Sequence, residues 1–223
     1  MRSSSEHHRG LIPARQRRSR ETEARILAAA ERVFVRSGVS GATVAEICRV
    51  AGVAVGTFYG RFRDKDALLA AYFADYYRRA GEDLEADLSL ERWRGRPAAE
   101  IVAAWVKRRV DRFRARGSLT RAILTYVRTH PDPALRAPAA RHSTLVVDRF
   151  AALLDGSAEG VGHPDPRRAA VMAVSALEAL LKELTLYAGK RSRALTIADE
   201  ELVPELTRML LGYLGVPSAG RSR

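Results

Sequence analysis

The chain has 223 residues, 47% hydrophobic and 29% charged, enough apolar content and length for one substantial core or a small domain fused to a larger one, which excludes a disordered polypeptide. A net charge of +12 and a pI near 10.6 point to an acidic partner, with nucleic acid ahead of membrane, although arginine makes up 34 of the 38 basic residues, as GC-rich coding would also give. The lone Cys48 excludes an intramolecular disulfide framework and a cysteine-rich zinc site, and the longest apolar run, around 169–177, falls short of the roughly 20 residues that span a bilayer.

Residues 1–20 hold six arginines, Arg17 and Arg18 among them, against a single acid, Glu6. With Ser, Gly and Pro13 interspersed, the stretch is expected to be a disordered basic arm, either solubilising or reaching DNA phosphates. No apolar leader precedes it, which predicts a cytoplasmic protein. From Glu21 the periodicity is helical and no strand is convincing. Ile26, Leu27, Ala30, Val33 and Phe34 form one stripe, and Gly38 is placed to end that helix. Thr43-x-x-Glu46 fits a capping box for a second helix, with Val44, Ile47, Cys48 and Ala51 on its inner face. Gly52 supplies a turn, and a third helix runs from about Val55 to Arg61, with Phe58 and Phe62 directed into the core.

Two short helices around a glycine turn make a helix-turn-helix. The third helix is intrinsically weak: Gly56 and Gly60 each cost about 1 kcal/mol against alanine, and Ala54 stands where a capping side chain belongs. Its gain is close approach. Seven residues give about 10 Å of helix, suited to a major groove about 12 Å wide. Gly56 lets the backbone near the DNA, Val55 and Thr57 are candidates for a thymine methyl or base edge, and Tyr59 for a phosphate. Helix N-termini at Thr43 and near Asp64 are candidate anion sites, with Lys65 beside the second.

The ordered run Thr43-Val44-Ala45-Glu46-Ile47-Cys48, Ala51-Gly52-Val53, Gly56-Thr57-Phe58-Tyr59, Phe62 and Lys65-Asp66-Ala67-Leu68-Leu69 resembles the DNA-binding domain of TetR-family regulators over about residues 22–72. A terminal "LLGYLG" at 210–215 is similar to that family's last helix. The resemblance implies an all-α homodimer with a variable C-terminal ligand-binding domain, repressing transcription until a small molecule releases it from DNA. It makes Thr43, Thr57, Tyr59 and Lys65 DNA contacts. The sequence departs from the family at Ala54, Val55 and Gly60, where Ser or Thr, a polar residue and His are common, which moves the expected phosphate affinity toward Arg61, Arg63 and the arm. Thr43 has two readings, cap or phosphate ligand.

Downstream, a long helix is expected from Asp64, bent at Gly81, then helices over about 98–115, 119–129, 133–155, 165–188 and 198–214. The 165–188 segment is apolar over more than one stripe and so needs cover on two sides, from its own core or from a second subunit. The resulting fold class is all-α: arm 1–20, a three-helix helix-turn-helix domain at 21–66, a helical ligand-binding and dimerisation domain at 67–215, and a flexible tail at 216–223. The homodimer is expected to form through the last two helices. A pocket for an apolar or aromatic effector is expected between helices, with Trp105, Tyr126, Phe150 and Leu177 as wall candidates. Neither histidine spacing nor any nucleophile or phosphate-loop motif suggests a metal, cofactor or enzyme. The competing readings are an architectural DNA binder without an effector and a helical enzyme with a basic surface.

Overall fold

The computed structural model describes residues 14–130, 132–187 and 198–216, and among them every regular element is an α-helix. The chain divides into two compact units, Met1–Leu68 and Leu69–Arg223.

The first unit contains α1 (Ala14–Gly41), α2 (Val44–Ala51) and α3 (Val55–Tyr59). Helix α1 starts seven residues before the expected boundary, so the part of the arm from Ala14 onward, Arg17 and Arg18 included, is helical rather than disordered. Ala, Gln and Arg are strong helix formers, no breaker lies between Pro13 and Gly38, and Arg17 pairs with Glu21 one turn on at 3.6 Å. Residues 1–13 lie outside the described residues. At Gly38 the backbone turns to φ 70°, ψ 165°, which breaks the helix where the sequence placed its end, although helical turns resume as far as Gly41. Thr43 caps α2, its Oγ1 accepting from the Glu46 N–H at 3.2 Å. The Glu46 carboxylate does not complete the box but pairs with Arg36. Gly52 closes α2 in the left-handed region at φ 66°. Ile26, Val33, Phe34, Ile47, Cys48, Phe58 and Phe62 are buried in this unit, and burial pushes the Cys48 thiol above its ordinary pKa.

Helix α4 (Lys65–Asp87) begins at the end of the first unit and lies mostly in the second. It runs without interruption through Gly81, where a bend was expected. A Cβ at Gly81 would come to 3.3 Å from Leu145 Cδ2, a tight contact with the end of a flexible side chain. The unit continues with α5 (Leu90–Trp93), α6 (Ala98–Ala115), α7 (Gly117–Thr129), α8 (Pro133–Asp155), α9 (Pro166–Leu186) and α10 (Asp199–Leu214). Helix α9 packs against α6, α7, α8 and α10, so much of its second apolar stripe is covered from within the chain. Ala169, Ala173, Val174, Leu177 and Leu181 are buried there, while Val171, Met172 and Leu180 remain exposed.

Trp105 of α6 and Phe150 of α8 stack at 4.1 Å in the middle of this core. The end of α10 is held by a close backbone approach: a Cβ on Gly162 would lie 2.7 Å from the Gly215 carbonyl oxygen, and Gly215 itself has φ 66°. Val216, placed by the sequence in a flexible tail, is buried and donates its N–H to the Leu211 carbonyl at 3.0 Å. Residues 217–223 lie outside the described residues. No described helix is long and apolar enough to cross a membrane.

Candidate functional site

Helix α3 has five residues and no side-chain cap, and of these only Phe58 is fully buried. Phe58 meets Phe62 at 5.4 Å and Tyr59 edge-on at 5.3 Å between ring centroids. The opposite side is open: Val55 is 45% and Tyr59 55% exposed, and Gly56 is exposed as well. A Cβ at Gly56 would meet nothing within 4 Å, and its φ is not in the left-handed range. Among the described residues nothing therefore requires glycine at this position, where alanine would make a better helix. Thr57 is half-buried on the flank.

The surrounding polar groups hold the frame of the motif. Arg25 Nη2 of α1 donates to the Ala51 and Gly52 carbonyls at 2.8 and 3.0 Å, pinning the turn. Neither the periodicity nor the motif singled out this residue, because such a bond joins positions far apart in the chain. Arg61 donates from Nη1 to Ser19 Oγ at 2.6 Å, and its buried Nε has no hydrogen-bond partner. Arg61 is thus tied to α1. Lys65 Nζ reaches three carbonyls, those of Val39 and Ser40 in the last turn of α1 and of Ala42 just after it, at 3.2, 3.4 and 3.1 Å. An ammonium has three donors, so a phosphate would compete with these carbonyls for Lys65.

The anion site expected at the start of α4 is already filled, because Asp64 Oδ1 accepts from the Ala67 N–H at 2.8 Å. That bond, and the contact with Arg63 after it, holds the Asp64 carboxyl below its ordinary pKa. Thr43 stays exposed while it caps α2. Its hydroxyl accepts in the cap and retains a hydrogen to donate, so cap and phosphate ligand are compatible roles.

In the second unit a cavity of about 120 Å³ opens beside α4, α6 and α8. Tyr76, Tyr77, Phe113 and His142 supply rings, and Ile123, Val146 and Val174 supply aliphatic wall. Arg109, Arg112, Lys182 and Glu178 supply charge. None of the four expected wall residues lines it. Trp105, Phe150 and Leu177 are wholly buried in the core, and Tyr126 is buried with its ring stacked on His130 at 3.6 Å. Large apolar residues mark a core and a pocket wall alike, so residue type could not separate them. The polar lining was missed because its residues are scattered at helical spacing, which reads as solvated surface.

Arg109 forms an ion pair with Glu178, and Arg112 reaches Asp83 and Asp87 at 3.3 and 3.4 Å. Burial first, then the Arg109 charge, lowers the His142 pKa to about 4 from 6.5. The unfolded chain thus takes up this proton at a higher pH than the folded one. Stability from His142 is complete above about 6.5 and is lost as pH falls toward about 4. Denaturant titrations across that window are expected to show a shallower pH slope for His142→Gln than for the parent; equal slopes would contradict the assignment.

Two family models match the chain: bacterial regulatory proteins of the tetR family over residues 26–72, and the tetracyclin repressor-like C-terminal domain over residues 97–214. The second alone spans more than half of the sequence. The chain belongs to the TetR family of transcriptional regulators.

As a TetR-family chain it is 43% identical over 72 residues to the HTH-type transcriptional regulator SrpR of Pseudomonas putida, a match covering 32% of this chain and 34% of that protein. It is 38% identical over 61 residues to the HTH-type transcriptional regulator TtgR, also of Pseudomonas putida, covering 27% and 29% respectively. The matched stretches thus span about a third of these relatives' length. Among solved structures, Escherichia coli NemR in its reduced form aligns with a TM-score of 0.67 at 17% identity, covering 88% of this chain and all of the other. FadR of Bacillus subtilis, in complex with stearoyl-CoA, aligns with a TM-score of 0.63 at 20% identity, covering 87% and 99%. At those identities the structures establish the shared TetR fold.

Proposed function

We propose that this TetR-family regulator is a repressor that reads a pseudo-palindromic operator as a homodimer and leaves it when a small molecule occupies the cavity of the second unit. The observation that carries the DNA half is Gly56, exposed, with free space where its Cβ would be and no backbone strain to excuse it. A position kept bare without internal need favours an external body pressed against α3. Val55, Gly56 and Thr57 are assigned to the base edges. Tyr59 and the Thr43 hydroxyl are assigned to phosphates, with Arg17 and Arg18 on α1 adding charge. Arg61 and Lys65 hold the motif in shape and serve DNA binding through that shape, without a direct contact.

The exposed Val171, Met172 and Leu180 of α9, with Met209 and Tyr213 of α10, support pairing of two subunits through these helices. Two heads would then enter successive major grooves about 34–36 Å apart. A ligand lowers DNA affinity by preferring a dimer with a different spacing, to the extent of that preference.

DNA fragments retained by the purified protein, once sequenced, should share two inverted half-sites. Gly56→Ala should raise stability by up to about 1 kcal/mol while weakening retention of those fragments. Undiminished retention by this variant would remove the argument for close approach.

A further inference from the structure

Resting on the ligand-responsive reading above, we infer that the cavity of the second unit is the inner half of a longer site. That site takes an uncharged molecule of two or more rings, which enters by parting the Tyr77 and His142 side chains.

Beside the cavity of about 120 Å³ lies a second space of about 470 Å³, a groove open to solvent between α4 and α8. Ala74, Arg78 and Gly81 of α4 line it with Pro138, Arg141 and Leu145 of α8. Two residues line both spaces, Tyr77 and His142. Their rings, one from each helix, meet at 5.5 Å and 40°, so this pair forms the wall that groove and cavity share.

The wall is thin and weakly held. Helix α8 packs on α9, α6 and α5 but little on α4, so side chains join this seam. The Arg149–Glu85 ion pair ties it near the C-terminal end of α4. No such tie holds the ring pair: His142 Nδ1 has no partner, and among the described residues no hydrogen bond holds the Tyr77 hydroxyl. Contact between two rings is a weak restraint, and a side chain can change rotamer without moving its helix. Ala74 and Gly81, on the same face of α4 as Tyr77, carry no bulk to stop it turning.

Size and charge define the occupant. The cavity alone is slightly smaller than the roughly 150 Å³ space known to admit benzene, so anything beyond one ring must extend into the groove. Most of the lining charges are already met: Arg109 by Glu178, Arg112 by Asp83 and Asp87, Arg78 by Asp75 and Glu82, and Glu85 by Arg149. Lys182 and Arg141 are exposed, where solvent screens them. Burial raises the Tyr77 hydroxyl above its ordinary pKa and lowers His142 to about 4, so the ring pair is uncharged near neutral pH as well. A charged body would leave water for a site without an open counter-charge, which disfavours it.

The test follows the fluorescence of N-phenyl-1-naphthylamine, an uncharged three-ring probe, with the full-length protein. Its partner probe is 1-anilinonaphthalene-8-sulfonate, the same skeleton carrying a negative charge. The uncharged probe is expected to bind once per chain, at least about tenfold more tightly than the sulfonate. Ala139→Leu narrows only the cavity and Ala74→Trp only the groove. Each should weaken the uncharged probe by about tenfold, a result that two separate sites would not give. If Ala139→Leu melts early, Thr120→Leu narrows the cavity from α7 instead. Tyr77→Ala, which removes half of the wall, should speed association in stopped flow by roughly fivefold. No binding of the uncharged probe, equal affinity for the sulfonate, weakening by fewer than both blocks, or an association rate unmoved by Tyr77→Ala overturns the assignment. A probe that spans both halves yet fails to release selected DNA supports the site and overturns the ligand-responsive reading instead.

Discussion

Phe58→Ala is expected to destabilise the first unit by about 3–5 kcal/mol, the usual cost of emptying a phenylalanine site in a core. Phe58 is 0% exposed and is the side chain through which the five-residue α3 is anchored, with Phe62 and Tyr59 arranged around its ring. The remaining residues of α3 contribute little of their own, since the helix lacks a cap and contains Gly56. Amide exchange measured residue by residue should therefore show the segment around 53–62 losing protection first, and selected DNA should no longer be retained. Retention at parental affinity would mean that α3 is held by something other than this phenylalanine. Phe58→Leu, which keeps most of the volume, should recover both readouts in part.

The second large effect lies in the ion pair of the other unit. Arg109 and Glu178 have side chains only 10% and 17% exposed, on α6 and α9. Removing one partner leaves the other charge uncompensated, so Arg109→Met alone or Glu178→Leu alone should cost about 3 kcal/mol, at the low end of the range because some solvent reaches the site. Replacing both, as Arg109→Met with Glu178→Leu, should restore stability to within about 1 kcal/mol of the parent, because two desolvated charges are exchanged for apolar contact. Urea unfolding of the four proteins in this cycle provides the check. A double variant as unstable as the worse single one would show that the pair is held by bonds beyond its own.

Much of the architecture could be read from residue pattern alone. Helices α6 to α10 fall within a few residues of their expected limits, because apolar spacing, Gly117 and the prolines at 131 and 133 are local signals. The turn at Gly52 and the cap at Thr43 were equally legible, being set by neighbouring backbone geometry. The early start of α1 was obscured by reading a cluster of arginines as unfolded, when arginine is a good helix former. Four-residue α5 gives too short a pattern for any period to show. The bend assigned to Gly81 failed because one glycine costs a helix only about 1 kcal/mol, which the packing of a 23-residue helix carries without a break.

At the candidate sites the division follows the range of the interaction. Val55, Gly56 and Tyr59 lie on an open face, as their place in the motif indicated. Lys65 and Arg61 turn instead to carbonyls of residues 39–42 and to Ser19, partners that no spacing rule reveals. The cavity was hidden for a similar reason. Its charged lining is drawn from α6, α9 and their neighbours, and only the packed fold places Arg109 opposite Glu178.

A rod of five residues cannot persist alone in water, where a dozen or more are needed for even marginal helicity. The third helix of the head therefore persists only through the burial of its own Phe58 against Phe62 and the hold of Arg25 on the turn before it. Heat, urea or a poorly packed variant should switch recognition off as a single cooperative step at the melting of the head, with no intermediate that still grips its target loosely.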